Sequence, residues 1–407
     1  MNVPMFDADQ HYYESDDAYT RYLPKRFLDE GRAVRVVRSE DKQYGRIFFG
    51  DQKITFFGTN PVETTGHPGA LLEYFRSGGG TGNALTHKGV LNADDLPESR
   101  DRARRLAWLR EQGVEGTLMF PTSAVGVEYQ LQSDVEAMNA TLTAFNRWLE
   151  DDWGFGSTES PIYCAPLLNL TDLDWALEEL DRVLARGAKV VHLRPGPVGL
   201  TRSPADPVHD PFWARCAEAG VPVDFHLGNS GETDYYSGLW GERRDLPQHR
   251  FSPFQRVTSF GERAIGDTLL ALVTHNLFGR VPDLKVMSIE HGSEWVRPLL
   301  KKMDRAARMC GPKDWPFGVV TERPREIFKR HVLVSPFPED DIIGLVELLG
   351  PDAVAAGSDW PHPEGEVVPR DYVARIEGRL PEGDLLKVMH DNTATALGLP
   401  LAAPVAS

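Results

Sequence analysis

Asp9 and His11 stand two residues apart in the run Met5-Phe6-Asp7-Ala8-Asp9-Gln10-His11 near the N-terminus. Residues two apart in a β-strand project from the same face. This carboxylate and imidazole would therefore point together from a strand end, a pair able to hold a divalent metal ion. The plainer reading is a surface turn. The pair is not alone: His192 with Arg194, then His226, His291 and Asp359, each lie at the end of a short apolar run. The chain has 12 histidines, and core packing gives no reason for His11, His192, His226 and His291 all to sit at such ends. Singly, each reads as a hydrogen-bonded structural group; jointly, they outline a site.

The elements that must position these residues follow from hydrophobic period. Apolar runs at 5–9, 114–120, 162–168, 188–193, 221–226, 283–289, 331–335 and 353–359 read as strands. Helical spacing at 102–112, 133–151, 173–185, 211–219, 261–278, 294–309 and 340–349 separates most of them. Strands alternating with helices imply a parallel sheet with right-handed crossovers, and eight such units predict an α/β fold of the (β/α)8 TIM-barrel type. Such barrels carry their chemistry at the C-terminal ends of the strands, where the residues above fall. The barrel is expected to form one domain over 1–400, with a short tail at 401–407.

Two interruptions break the pattern. After a helix expected at 15–30, alternation at 33–38, 45–49 and 53–57 reads as a β-meander, turned by Ser39-Glu40-Asp41 and Gly50-Asp51. A stretch at 58–97 rich in Gly, Thr, Asn and Pro, including Gly78-Gly79-Gly80, follows and reads as a lid, so that 31–97 forms a β-rich insertion after the first strand. The second, longer insertion follows the fifth strand. Its helix at 261–278 is apolar around much of its circumference, as expected of a helix buried on several faces, either beneath the insertion or at a subunit interface.

Bulk properties narrow the partners. The net charge of −16, with no Lys/Arg cluster, argues against nucleic acid and anionic membranes. A small anionic substrate is still allowed, because a local site can oppose the global sign. The 3 cysteines are far apart and fit a reducing compartment. No secretory leader is evident, and no apolar run approaches the ~20 residues that span a bilayer. A soluble, cytoplasmic enzyme is expected.

The Asp-x-His of the first strand, His226-Leu227-Gly228, Glu290-His291-Gly292 and Gly357-Ser358-Asp359-Trp360-Pro361-His362 together resemble the amidohydrolase superfamily. They are most similar to its amidohydrolase-2 branch, which includes aminocarboxymuconate semialdehyde decarboxylase and the resorcylate decarboxylases. Phe278-Gly279-Arg280-Val281-Pro282-Asp283-Leu284 is also typical of that branch. The resemblance runs from residue 5 to about 395 and leaves out the 31–97 insertion. It implies one divalent metal ion per chain, Zn²⁺ foremost with Mn²⁺ or Fe²⁺ as alternatives. Its ligands would be Asp9, His11, His226 and Asp359, with His291 a non-ligand histidine beside the reaction centre. The usual first-strand motif opens on His or Glu, and here it opens on Asp9. The strand-four lysine that would bridge two metals is absent, so a binuclear site is not expected.

The resemblance implies a non-oxidative decarboxylase of an aromatic or unsaturated carboxylic acid, in which Asp359 protonates the carbon that loses CO₂. The alternative is a hydrolase of an amide, lactone or C–C bond that uses metal-activated water, with Asp359 as base and His291 at the oxyanion. Arg194 would pair with a substrate carboxylate or else form a rim salt bridge, and His192 would contact substrate or support a ligand. Strand parity points Glu290 away from the site. Trp360 and His362 either floor the site or pack the loop, and Glu14 either supports His11 or else caps or faces solvent. The resemblance also implies a homodimer.

Overall fold

The computed structural model describes residues 3–38, 45–56, 64–76, 90–92, 95–244, 246, 250–259 and 261–401. The first strand, β1 (Met5–Tyr12), is buried along its whole length. The meander follows as β2 (Val34–Arg38), β3 (Gly45–Phe49) and β4 (Gln52–Lys53), paired antiparallel in that order. β4 is shorter than the alternation implies, although Ile54 still donates to the Ile47 carbonyl. β5 (Thr64–Gly66) and β6 (Val90–Asn92) form a separate antiparallel pair. The Ser39-Glu40-Asp41 turn, the Gly78-Gly79-Gly80 run, most of the 58–97 lid and most of the 401–407 tail lie outside the described residues.

The helix expected at 15–30 is reduced to turns and Lys25–Asp29. Pro24 is the reason: it holds extended backbone (φ −57°, ψ 131°), and its ring disfavours helical geometry in the residue before it.

Parallel pairing accounts for the rest of the sheet structure. β1 pairs with β7 (Val114–Pro121), and β7 pairs with β8 (Ile162–Cys164). β9 (Leu167–Leu168), β10 (Val191–Leu193), β11 (Val223–His226), β12 (Val286–Ile289) and β13 (Val332–Val334) pair in sequence, all parallel. β8 and β9 are one run split at Pro166, which has no N–H to give the ladder. The expected last strand at 353–359 is an extended segment rather than a regular strand. Ala355 donates to Val334 of β13 (3.0 Å), while Ala8 of β1 donates to the Ala356 carbonyl (2.9 Å) and Asp359 to the Asp9 carbonyl (2.8 Å). Asp359 itself is left-handed (φ 57°), which ends the extended run.

Helices between the strands start and stop on the expected signals. Asp101, Asp134 and Asp172 each accept a backbone N–H of the first turn of Arg102–Gln112, Val135–Asp152 and Leu173–Ala185. Gly113 closes Arg102–Gln112 with φ 67°. The apolar helix Glu262–Thr274 buries Ile265, Leu269, Leu272 and Val273 and packs on Val296–Met309 and Pro324–His331 within the same chain. Among the described residues no helix is long and apolar enough to cross a membrane.

A compact apolar cluster gathers Phe6 and Ala8, Leu118 and Phe120, Tyr163, Val190, Met287 and Ile289, Leu333 and Ala355, thus drawing on most of the parallel strands. On β1 the alternation that puts Phe6 and Ala8 in this cluster would turn Asp9 and His11 away from it. A β-bulge prevents that: Asp7 pairs with Thr117 but Gln10 with Met119, three steps on one strand against two on the other. The Asp7 carboxylate fills the bulge. It accepts the Asp9 N–H (3.2 Å), Gln10 Nε2 (2.8 Å), the Ser358 N–H (2.9 Å) and Ser358 Oγ (2.6 Å). One buried side chain thus aims Asp9 and His11 and ties the Asp359 segment beside them.

Candidate metal centre

His11 lies at the end of β1, with Nδ1 3.3 Å from the Pro121 carbonyl. That contact places a proton on Nδ1 and turns Nε2 into the cavity. Around Nε2 stand Asp359 Oδ1 at 3.2 Å, Asp9 Oδ1 at 3.4 Å and Glu290 Oε2 at 3.4 Å. None of these is a hydrogen bond of good geometry, so this buried nitrogen has no hydrogen-bond partner. His226 closes β11. Its Nδ1 lies 2.9 Å from the Leu227 carbonyl, and its Nε2 faces Glu290 Oε2 at 3.1 Å and Asp9 Oδ1 at 3.4 Å.

Ligand atoms about 2.1 Å from a shared ion sit about 3.0–3.4 Å from one another in octahedral or tetrahedral geometry. The five contacts above span 3.1–3.4 Å. Asp9, His11, His226 and Glu290 have ligand atoms mutually within 4.8 Å, as do His11, Glu290, Asp359 and His362. Three imidazoles and three carboxylates suit a divalent transition metal. An unpartnered buried nitrogen at their centre is what such an ion would satisfy.

The electrostatics agree. Burial pushes the Asp359 carboxyl up to about 6, against the pull of His11. Burial, then Asp359, raises Glu290 as well. Burial also acts to raise Asp9, but the facing His11 and His226 imidazoles outweigh it and hold Asp9 well below the usual carboxylate range. His11 is raised well above an ordinary imidazole: burial opposes this, and Asp359, Asp9 and Glu290 prevail.

Glu290 corrects the parity argument. Its backbone is left-handed (φ 58°), so the alternation of β12 ends before it and its side chain swings inward. No sequence pattern signals that turn. His362 also enters the site. Its ring lies against His11, tilted by 31° with centroids 3.8 Å apart, Nδ1 is 2.8 Å from Asp359 Oδ1, and Nε2 is 3.0 Å from Thr122 Oγ1. Burial, then His11, lowers its pKa to about 4. Its spacing of three from Asp359 was the available signal.

His291 is buried, and among the described residues neither ring nitrogen has a hydrogen-bond partner. Burial and the neighbouring His226 and His192 drive its pKa well below the usual value, so it stands neutral. His192 lies outside the two ligand groups. Its Nδ1 is 3.0 Å from Asp224 Oδ2, and its ring centroid is 6.4 Å from that of His226. Arg194 is engaged with the rim: Nε donates to Glu128 (3.1 Å), and the terminal nitrogens donate to the carbonyls of Pro195, Ser230 and Pro197 (3.2–3.4 Å). Glu14 accepts the backbone N–H groups of Ser123 and Ala124 and so anchors the loop after β7 rather than His11.

A family profile described as amidohydrolase matches residues 121–399. The crystal structure of an amidohydrolase from Mycobacterium avium subsp. paratuberculosis K-10 is 39% identical, covers 98% of this chain and 99% of that chain, and superposes with a TM-score of 0.88. A dihydroxybenzoic acid decarboxylase from Polaromonas sp. JS666, solved with manganese and 2-nitroresorcinol, is 19% identical over 75% of this chain and 90% of its own, with a TM-score of 0.58. A 5-carboxyvanillate decarboxylase from Novosphingobium aromaticivorans, solved with manganese and a nitrobenzoic acid, is 16% identical over 98% of this chain and 97% of its own, with a TM-score of 0.60. At these lower identities the likeness is one of fold. No curated protein matches the sequence. The match of the amidohydrolase profile to more than half of the sequence, with a relative 39% identical along almost its whole length, makes this chain a member of the amidohydrolase family.

Proposed function

We propose that this protein is a metal-dependent carbon–carbon lyase, a non-oxidative decarboxylase of an aromatic or unsaturated carboxylic acid, built on a closed (β/α)8 barrel. The closure is supported by the segment at 354–360, which hydrogen-bonds to both β13 and β1. The observation that carries the functional reading is the unpartnered His11 Nε2 ringed by ligating atoms at metal-sharing distances. Asp9, His11, His226 and Asp359 hold the ion. When bound, it supplies Lewis acidity and a positive charge against which an anionic substrate binds. The likeness in fold to manganese-containing decarboxylases of hydroxylated aromatic acids supports decarboxylation.

The chain's own groups then divide the work. Asp359 carries a proton to the ring carbon as the C–C bond to the carboxyl group breaks. Its electron pair takes that proton, CO₂ leaves, and Asp359 is left ionised. His362, partly open to solvent, relays a replacement proton from water to Asp359. Its Nδ1 faces Asp359 and its Nε2 faces Thr122, whose hydroxyl also reaches the Tyr12 carbonyl (2.9 Å). The ring can therefore carry its single proton on either nitrogen without becoming charged. Neutral His291 offers a donor and an acceptor to the substrate. His192, oriented by Asp224, lines the same cavity. Arg194 has one N–H hydrogen beyond its four rim contacts for a substrate carboxylate.

Hydrolysis is the second reading, favoured by His291: a buried neutral imidazole with no internal partner also suits a developing oxyanion. The test is a panel of hydroxybenzoates and unsaturated acids with Mn²⁺ or Zn²⁺, followed for CO₂ and, in parallel, for acid release from esters and lactones. CO₂ from at least one acid, lost in Asp359→Asn, is expected. Acid release without CO₂ would replace the lyase with the hydrolase.

A further inference from the structure

Glu290 is the residue of the site whose position is least explained by the fold. It follows Ile289, which packs in the inner apolar cluster, so a continuing strand would send residue 290 outward. Instead the backbone takes a left-handed turn at Glu290 (φ 58°), a conformation that costs a side-chain-bearing residue energy and belongs by preference to Gly or Asn. Gly292 is left-handed as well (φ 62°), where a Cβ would strike the Phe337 ring at 2.8 Å. The chain doubles back here, and the turn carries the Glu290 carboxylate into the cavity. The side chain is 8% exposed, and Oε2 lies 3.1 Å from His226 Nε2 and 3.4 Å from His11 Nε2. Among the described residues no Lys or Arg is paired with it. Strain at a buried carboxylate persists where something else is gained from its position.

The geometry points to Glu290 as a fifth metal-facing donor, delivered by a left-handed turn after β12, which makes the donor set oxygen-rich and biases the site towards Mn²⁺ or Fe²⁺ relative to Zn²⁺. This rests on the metal-dependent reading above and adds to it a ligand that the expected four do not include. Four donors, two of them imidazole, match the tetrahedral habit of Zn²⁺. A third carboxylate raises both the donor count and the oxygen share, which is the direction that favours Mn²⁺. The unpartnered His11 Nε2, equidistant from Glu290 and Asp9, is the independent sign that the carboxylates converge on a position an ion could share and not on each other.

The experiment measures Kd for Mn²⁺ and Zn²⁺ by chelator competition on the full chain, with the Mn²⁺ electron paramagnetic resonance line shape as a second readout. The proteins are the parent, Glu290→Gln, Glu290→Asn and Asp9→Asn. The expected result is a Mn²⁺ Kd raised at least about tenfold in both Glu290 variants, a smaller rise for Zn²⁺, and an altered Mn²⁺ line shape. Asn tolerates the left-handed turn, so metal-free Glu290→Asn is expected to melt no lower than the parent. Unchanged Mn²⁺ and Zn²⁺ affinities in the Glu290 variants, with binding lost in Asp9→Asn, would overturn the Glu290 assignment and leave the metal site standing. Equal losses for the two ions would overturn the selectivity. A metal-free melting temperature lowered in both Glu290 variants would mark a structural role instead. No binding by the parent would overturn the metal-dependent reading itself.

Discussion

Asp7→Asn is the substitution whose consequence can be worked most fully from the structure. The Asp7 carboxylate is completely buried and accepts four hydrogen bonds, two on each oxygen. All four partners present hydrogens, so an amide of the same shape must turn an NH₂ towards one pair. Turned towards Asp9 N and Ser358 N, it leaves two backbone donors unpaired. Turned the other way, it meets Ser358 Oγ, which can rotate to accept, and Gln10 Nε2, which cannot adapt. Flipping Gln10 would break its Oε1 contact with Arg105 (2.8 Å). The cheaper arrangement therefore still strands one buried donor, at about 1–3 kcal/mol. Burial raises the Asp7 carboxyl to about 7, so above that pH loss of charge assistance at the remaining bonds adds to it, for a total of about 2–4 kcal/mol. Because Asp7 joins the bulge to the Asp359 segment, the cost should be coupled to Ser358. A double-mutant cycle of Asp7→Asn and Ser358→Ala, read by urea unfolding, is expected to show at least about 1 kcal/mol of non-additivity. Metal affinity should fall together with stability, since Asp9 and His11 lose their aim. Additive effects, or a loss under about 0.5 kcal/mol for Asp7→Asn, would refute the claim that this carboxylate holds the bulge.

Other outcomes follow from single groups. Burial raises the Glu232 carboxyl to about 7, above the usual Glu value of 4.5. The folded state therefore keeps a proton that the unfolded chain releases, and the stability it contributes is full below about 4.5 and lost as the pH rises through about 7. Glu232→Gln should flatten the melting temperature across that window, and parallel curves for the two proteins would contradict it. Thr122→Val removes the hydroxyl that faces His362 Nε2 and should lower kcat by about tenfold or more with KM little changed, as steady-state kinetics on any accepted acid would show; a change confined to KM would remove His362 from proton transfer. Arg194→Met should lower the melting temperature and raise KM by less than about tenfold, because four of its five N–H groups serve the rim. A hundredfold rise in KM at unchanged melting temperature would make substrate pairing its main role.

Much of the site was legible because β-strands report orientation cheaply. Asp9 and His11 share a face by simple alternation, and His226 and Asp359 fall where apolar runs end. That alternation was sound for Asp9 and His11 relative to each other. The bulge that turns both inward depends on Asp7 meeting Ser358, 351 residues away, and no local pattern carries that. Glu290 failed for the opposite reason: period two was extended one residue beyond the strand, into a turn whose handedness is a backbone property. The helix expected at 15–30 shows period misread across a proline. The apolar helix proved to be covered within its own chain by Val296–Met309 and Pro324–His331, so its composition is explained without a subunit interface. A homodimer is still proposed on the family resemblance, and sedimentation at micromolar concentration tests it, a monomer contradicting it.

The central claim is that Asp9, His11, His226 and Asp359 hold one divalent ion. The measurement that tests it most directly is metal content per chain by plasma mass spectrometry, on the purified protein and on an Asp359→Ala, His226→Ala double variant that still folds by circular dichroism. About one transition-metal ion per chain in the parent, and essentially none in the folded variant, is the predicted result. Metal absent from both after incubation with Mn²⁺ and Zn²⁺, or retained equally by both, would contradict the account.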